Sequence, residues 1–285
     1  MRPMRVAETV DAAVALCRAN FKAFAAIVAF VTVPLEFLQQ LFTRGAYAGF
    51  PMVTEASQNI GPPSSAVVIA VAILSIAGVL VVRPFLTAAM IRAISAAYLG
   101  EPVNVGEVYR FALRRFRSIL WVLLLQILAL AGAGIGLVLL ATVFARVDVV
   151  VLTVLVMIGA VALIAVLYVR WVLATAAVVV EDARGTKALG RSWELTRSGF
   201  WRLVGTLLLA SLLASIVGGI LDVVPTVIGA IVPAGWLLRA AGGVLSAIVT
   251  TPFVTAVTVL LYFDARVRRE GLDISLMLRE IVATQ

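Results

Sequence analysis

Six long apolar runs, separated by short charged intervals, constrain this chain more than any other feature. They lie at about 23–42, 65–86, 118–144, 149–176, 202–222 and 236–263. At ~1.5 Å rise per residue, about 20 residues in a helix cross a hydrocarbon core. Lipid offers no partner to a backbone N–H or C=O, so runs of this length predict helices. The expected fold is an all-α polytopic membrane protein, with a single integral membrane domain over residues 1–285 and six transmembrane helices. Composition agrees: 63% of the 285 residues are hydrophobic and 13% charged. The net charge of +8 lies beside the apolar runs, which points to anionic lipid headgroups rather than nucleic acid.

The distribution of cations predicts orientation. Four intervals that fall on one side carry Arg2, Arg5, Arg18 and Lys22; Arg92, Arg110, Arg114, Arg115 and Arg117; Arg184, Lys187, Arg191, Arg197 and Arg202; and Arg266, Arg268, Arg269 and Arg279. That is eighteen basic residues, against Arg44, Arg146 and Arg239 on the other side. The positive-inside rule then places both termini in the cytosol. An AYA tripeptide at 46–48 resembles a signal cleavage site. However, twenty-two residues precede the first apolar run, and that run contains Pro34 and Glu36, so a retained first span is expected.

Amphipathic segments precede three of the spans, at 5–22, 104–117 and 187–201. In the last, Leu189, Trp193, Thr196 and Phe200 share one helical face, and Lys187, Arg191, Glu194 and Ser198 the opposite one. Basic faces beside apolar ones predict helices lying in the cytosolic membrane interface. In the middle segment Val105, Val108, Ala112 and Phe116 oppose Glu107, Arg110, Arg114 and Arg117. Gly100-Glu101-Pro102 should end the preceding helix, and Gly132, Gly134 and Gly136 suit close helix packing. Pro225 and Pro233 bracket an apolar connection between the last two spans, and 264–285 ends in a further short amphipathic helix.

The pattern of basic helix, span, turn and interrupted span occurs three times. The interruptions are RPFLTA at 83–88, RWVLAT at 170–175 and TPFVTA at 251–256. These suggest a threefold internal repeat of two-span units, although any chain this rich in Ala, Val and Leu resembles itself.

Candidate functional residues follow from charge in apolar surroundings. Arg83 and Arg170, near the cytosolic ends of long spans, could bind lipid phosphates or simply anchor the helices. Lys187, Arg191, Arg114 and Arg117 complete the lipid- or anion-binding candidates. Glu36 lies within the first span, where it could serve an ion or proton pathway, or sit at the interface. Glu181-Asp182 and Asp264 each precede Ala-Arg, and are expected to pair with Arg184 and Arg266 as caps of span ends. Trp121, Trp171, Trp201 and Tyr262 fit an aromatic belt. Cys17 could be acylated or could pack. The sequence holds no histidine and one cysteine, and shows no Walker or GxSxG pattern. No metal, cofactor or catalytic residue is therefore expected.

Four stretches resemble the bacterial family of glycerophosphoryl diester phosphodiesterase membrane domains: VAETVDAAVALCRANFKAF with VTVPLEFL, RPFLTAAMIRAISAAYLGEPVNVGEVYRFALRR, VVVEDARGTKALGRSWELTRSGFWR, and LYFDARVRREGLDI. The resemblance implies a multi-span membrane protein. Some members are fused to a soluble phosphodiesterase that uses histidine and metal-binding carboxylates. Lacking histidine and, at 285 residues, room for that domain, this chain is not expected to share the activity. The expectation is a noncatalytic protein that engages anionic lipids, a partner protein or its own copies. The alternative is a transporter with its site at the broken helices.

Overall fold

A computed structural model describes residues 5–47, 65–146, 150–197, 199–232 and 235–270. The expected helix after residue 270, most of the loop at 43–64, the turn around Asp148, and Ser198 and Pro233 lie outside them. Helices account for the regular structure of the described residues, and six stretches are long and apolar enough to cross a membrane. The elements are α1 (Val6–Ala19), α2 (Phe21–Tyr47), α3 (Ser65–Ala77), α4 (Arg83–Tyr98), α5 (Val105–Arg146), α6 (Val150–Trp171), α7 (Ala174–Glu181), α8 (Thr186–Arg197), α9 (Phe200–Ile231) and α10 (Gly235–Glu270).

Several interruptions expected from sequence turn out differently. The 104–117 segment and the third span form one helix, α5, because no residue between Arg117 and Trp121 disfavours helical backbone. At Arg83-Pro84 the chain stays helical, and a π-helical turn at Gly78–Val82 precedes the proline, which occupies the first turn of α4. A π turn absorbs the mismatch around a residue without an N–H. Only at Trp171 does the helix stop, with α7 resuming at Ala174. Pro252 sits inside α10 and Pro225 inside α9. Near Pro252, Thr250 Oγ1 donates to the Ser246 carbonyl at 2.8 Å and Thr255 Oγ1 to that of Thr251 at 2.7 Å. Such hydroxyl bonds help a membrane helix tolerate proline.

The chain packs as two compact units. One takes in Arg115–Leu207, the chain from Thr258 and the start of α1; the other takes in Val10–Arg114 and Leu208–Val257. In the first, α8 packs on α6 and α7; in the second, α2 packs on α3 and α4. Buried residues concentrate in the stretches that follow the three sequence interruptions: Leu86–Ala96, Leu173–Val179 and Thr255–Val267. Alanine is abundant in the first two. Lipid tails are as apolar as leucine, so helix association there depends on close van der Waals contact, which small side chains permit. The outward surfaces stay apolar, with Leu128, Val151 and Val161 about 70% exposed, as lipid-facing positions should be.

Close glycine packing occurs away from the expected positions. A Cβ at Gly132 or Gly136 would meet nothing within 4 Å, and one at Gly134 only Ile164, at an ordinary 3.9 Å. A Cβ at Gly218 would instead come within 2.9 Å of Ser246 and Thr250, bringing α9 against α10. The close contacts lie where two helices present small residues to each other, which spacing within one helix does not reveal.

Candidate functional site

In the first unit three carboxylates gather most of the neighbouring cations. Glu181, ending α7, accepts from Arg191 Nε at 2.7 Å and Nη2 at 3.0 Å, from Tyr262 Oη at 2.5 Å, and pairs with Arg266 at 3.2 Å. Asp264, 2% exposed, is bonded by Arg202 and by Arg268, the latter at 3.0 Å. Asp182 takes a left-handed backbone at the end of α7, φ 58°, and pairs with Arg115 and with Arg184 at 3.2 Å. Left-handed backbone is several-fold enriched in Asp relative to other non-Gly residues. Bonded on several sides, these ionised groups staple helices that are distant in sequence.

The Asp182–Arg184 pair matches expectation, whereas Arg266 reaches Glu181 at 3.2 Å. Residues two apart on a helix do not face one another, so Arg266 joins Tyr262, one turn earlier, on Glu181. Tyr262 is consequently fully buried rather than part of an aromatic belt. Trp121 and Trp201, by contrast, are 58% and 81% exposed.

The break after α6 is capped by side chains. Ser192 Oγ donates to the Arg170 carbonyl at 2.6 Å, and Gln126 Nε2 to the Trp171 carbonyl at 3.0 Å. Capping by Ser192 turns α8 so that Ala188, Ser192, Leu195 and Thr196 are buried, while Trp193 stays 41% exposed. The hydropathy pattern alone places the indole on the buried face; small-residue packing overrides it. The Arg170 guanidinium lies 5.0 Å from both the Trp193 and Phe200 ring centres, a cation–π clamp. Its Nε and Nη1 are buried without a hydrogen-bond partner among the described residues.

In the second unit Glu36 lies beside α10: a Cβ on Gly243 would fall 2.9 Å from its carboxylate. Asp222 and Arg83 are its charged neighbours. Arg83 sits well inside the apolar stretch Ala72–Tyr98, not near its end, because the apolar helix continues through the proline. Burial pushes the Cys17 thiol up to about 11, so at neutral pH it is protonated and a poor nucleophile.

The same unit holds a polar concavity of about 490 Å³ between the end of α4 and the start of α5. Gly100, at φ +78°, ends α4, with Glu101 N–H donating to the Ala96 carbonyl at 2.9 Å. This is a Schellman arrangement. Asn104 Oδ1 then caps α5 by accepting from the N–H groups of Gly106 at 3.0 Å and Glu107 at 3.4 Å. Tyr109 fixes the first turns of α5 on α2 by donating to the Ile27 carbonyl at 2.5 Å, its ring stacked 5.7 Å from Phe85. Val108 and Ala112 are buried, and Arg110, Arg114 and Arg117 exposed.

A family profile matches residues 4–276, nearly the whole chain. This chain belongs to the DUF7847 family. That family is described as a domain of unknown function, so membership assigns no activity to any residue above. No curated protein and no solved structure matches this DUF7847 chain.

Of the sequence candidates, Arg191 is joined to Glu181, Arg170 to two rings, and Arg83 stands near Glu36. Lys187, Arg114 and Arg117 remain exposed. Sequence reading gave no particular role to Tyr109, Gln126, Ser192 or Asp222. Gln126 and Asp222 were visible as lone polar residues in apolar runs; Ser192 and Tyr109 carried no signal, since only the fold brings a carbonyl to their hydroxyls.

Proposed function

We propose that this is a noncatalytic membrane protein whose cytosolic face engages anionic lipids, with a membrane-organising or accessory role that extends to a protein partner or a second copy. One observation carries the reading. Arg18, Lys22, Arg110, Arg114, Arg117 and Lys187 are all exposed, and all belong to helix ends that alternation of the spans assigns to one side. The bias of eighteen basic residues to three supports that side being cytosolic. The resemblance to glycerophosphoryl diester phosphodiesterase membrane domains points to the same kind of embedded, noncatalytic role. Near an anionic leaflet each surface cation contributes about 1 kcal/mol, screened by salt.

The test is native mass spectrometry of the full chain extracted gently from its membrane. Anionic lipids should be retained in preference to zwitterionic ones and lost as ionic strength rises. Retention indifferent to headgroup charge would overturn the reading.

The Glu36 locus favours a second reading, a transporter, because a carboxylate beside Arg83 and Asp222 inside apolar helices is the kind of group that ion pathways use. On that reading Glu36→Gln alters flux in reconstituted liposomes, and Gly243→Ala, which displaces the carboxylate, does so as well. Unchanged flux in both variants removes it.

A further inference from the structure

We infer that the concavity between α4 and α5 binds a phosphate group, carried either by a lipid headgroup or by a soluble phosphate ester. The inference deepens the lipid-engaging reading and rests on it for the lipid source.

Three arginines define the site. Arg92 reaches it from α4, held by Glu101 at 3.6 Å and lying 5.7 Å from the Phe111 ring centre. Arg110 and Arg114 line it from α5. They stand four residues apart, so both project from the same helical face. Both are exposed, and among the described residues neither has a hydrogen-bond or ion-pair partner. Two cations at this spacing repel each other.

Among the described residues no carboxylate forms an ion pair with either arginine. Glu101 is taken by Arg92, and Glu107, although it also lines the concavity, forms no ion pair among the described residues. In the first unit, by contrast, Glu181 and Asp264 each gather more than one arginine. The α4–α5 region has the guanidinium groups without an equivalent central carboxylate. A phosphate, with several acceptor oxygens and a geometry that guanidinium matches in pairs, supplies what is missing.

Size and position narrow the ligand. A volume of about 490 Å³ falls within the ~300–1,000 Å³ of small-molecule sites, and leaves room for the organic group esterified to the phosphate. Phe111, Val103 and Val108 give that group an apolar wall. The concavity is lined by the end of the stretch Ala72–Tyr98, the start of Val105–Phe144 and the turn that joins them, and a turn between two spans falls at a membrane boundary, where both lipid headgroups and water-soluble esters have access. Its walls are fixed by the Gly100 turn, the Asn104 cap and the Tyr109 anchor, so the backbone that carries the arginines is in place before a ligand arrives.

The test uses the full-length protein, wild type and Arg110→Gln/Arg114→Gln, with Arg110→Lys/Arg114→Lys as the charge-keeping control. Each is placed in nanodiscs of phosphatidylcholine with or without phosphatidic acid and examined by native mass spectrometry. Inorganic phosphate and phenyl phosphate are titrated separately in detergent. The expected result is binding by the wild type, weakened about tenfold or more in the glutamine variant and less in the lysine variant. Loss confined to phosphatidic acid identifies a lipid headgroup; loss in the phosphate titrations identifies a soluble ester. If wild type and the glutamine variant retain phosphatidic acid equally and neither binds the soluble probes, the site is overturned while the lipid-engaging reading stands. If the wild type binds no anionic lipid and no phosphate, both fall. An unchanged thermal unfolding profile for the glutamine variant shows that any lost binding is not lost folding.

Discussion

The carboxylate cluster of the first unit and the arginine-lined concavity of the second use the same residue types for opposite ends. Around Glu181 and Asp264, guanidinium groups meet carboxylates on several helices, and the result is a set of structural staples. Around Arg110 and Arg114 the carboxylates are fewer and differently engaged, so the positive charge faces outward. An arginine-rich interval in a membrane protein therefore has no single meaning. Whether an arginine binds or braces depends on whether the fold brings an acidic partner within reach.

That contrast can be broken by experiment. Asp264→Ala leaves Arg202 and Arg268 without their shared carboxylate, and removing one partner of a buried ion pair typically costs ~3–5 kcal/mol. Thermal unfolding of the purified protein in detergent should show a large fall in midpoint. A fall no greater than that of an exposed arginine variant would mean the staple is not structural. Tyr262→Phe removes a single hydrogen bond to the ionised Glu181, worth about 1.5–3 kcal/mol. A smaller but clear drop in the same assay is expected, and its absence would show that the two arginines alone satisfy the carboxylate.

At the concavity, Gly100→Ala forces an L side chain into the left-handed region at φ +78°, costing about 1–2 kcal/mol. It should also weaken phosphate binding, because that turn positions Glu101, which holds Arg92. Stability loss with fully retained phosphate binding would separate the turn from the site. The smallest effect belongs to Arg110→Gln/Arg114→Gln, whose stability should stay within about 0.5 kcal/mol of wild type. At low salt it should rise slightly as like-charge repulsion is relieved. A clear destabilisation would place these arginines with the staples and dissolve the comparison.

Much of this architecture is legible in the sequence because each relevant rule is local. Apolar run length announced six membrane-spanning stretches. Gly100 announced the end of α4, and the alternation of Val108 and Ala112 with Arg110 and Arg114 gave the buried and exposed sides of early α5. Proline was less reliable: Pro84, Pro225 and Pro252 each signal a break, yet helix persists at all three, with a π turn beside Pro84 and threonine hydroxyl bonds beside Pro252. The glycines at 132–136 looked like a packing seam, whereas the observed seams lie at Gly218 and Gly243.

The candidate sites were less legible, since their defining contacts join distant residues. In the sequence Arg191 and Arg266 are both cations beside apolar spans, and nothing local says that they share Glu181 with Tyr262. Arg83 acquires Glu36 as a neighbour only when α2 and α4 pack. The sequence by itself determined what must be helical and what must face lipid, because hydropathy and backbone hydrogen bonding act along the chain. Only the tertiary structure decided which charges neutralise one another and which stay exposed, because an electrostatic partner is set by distance in space, and separation along the chain does not encode it.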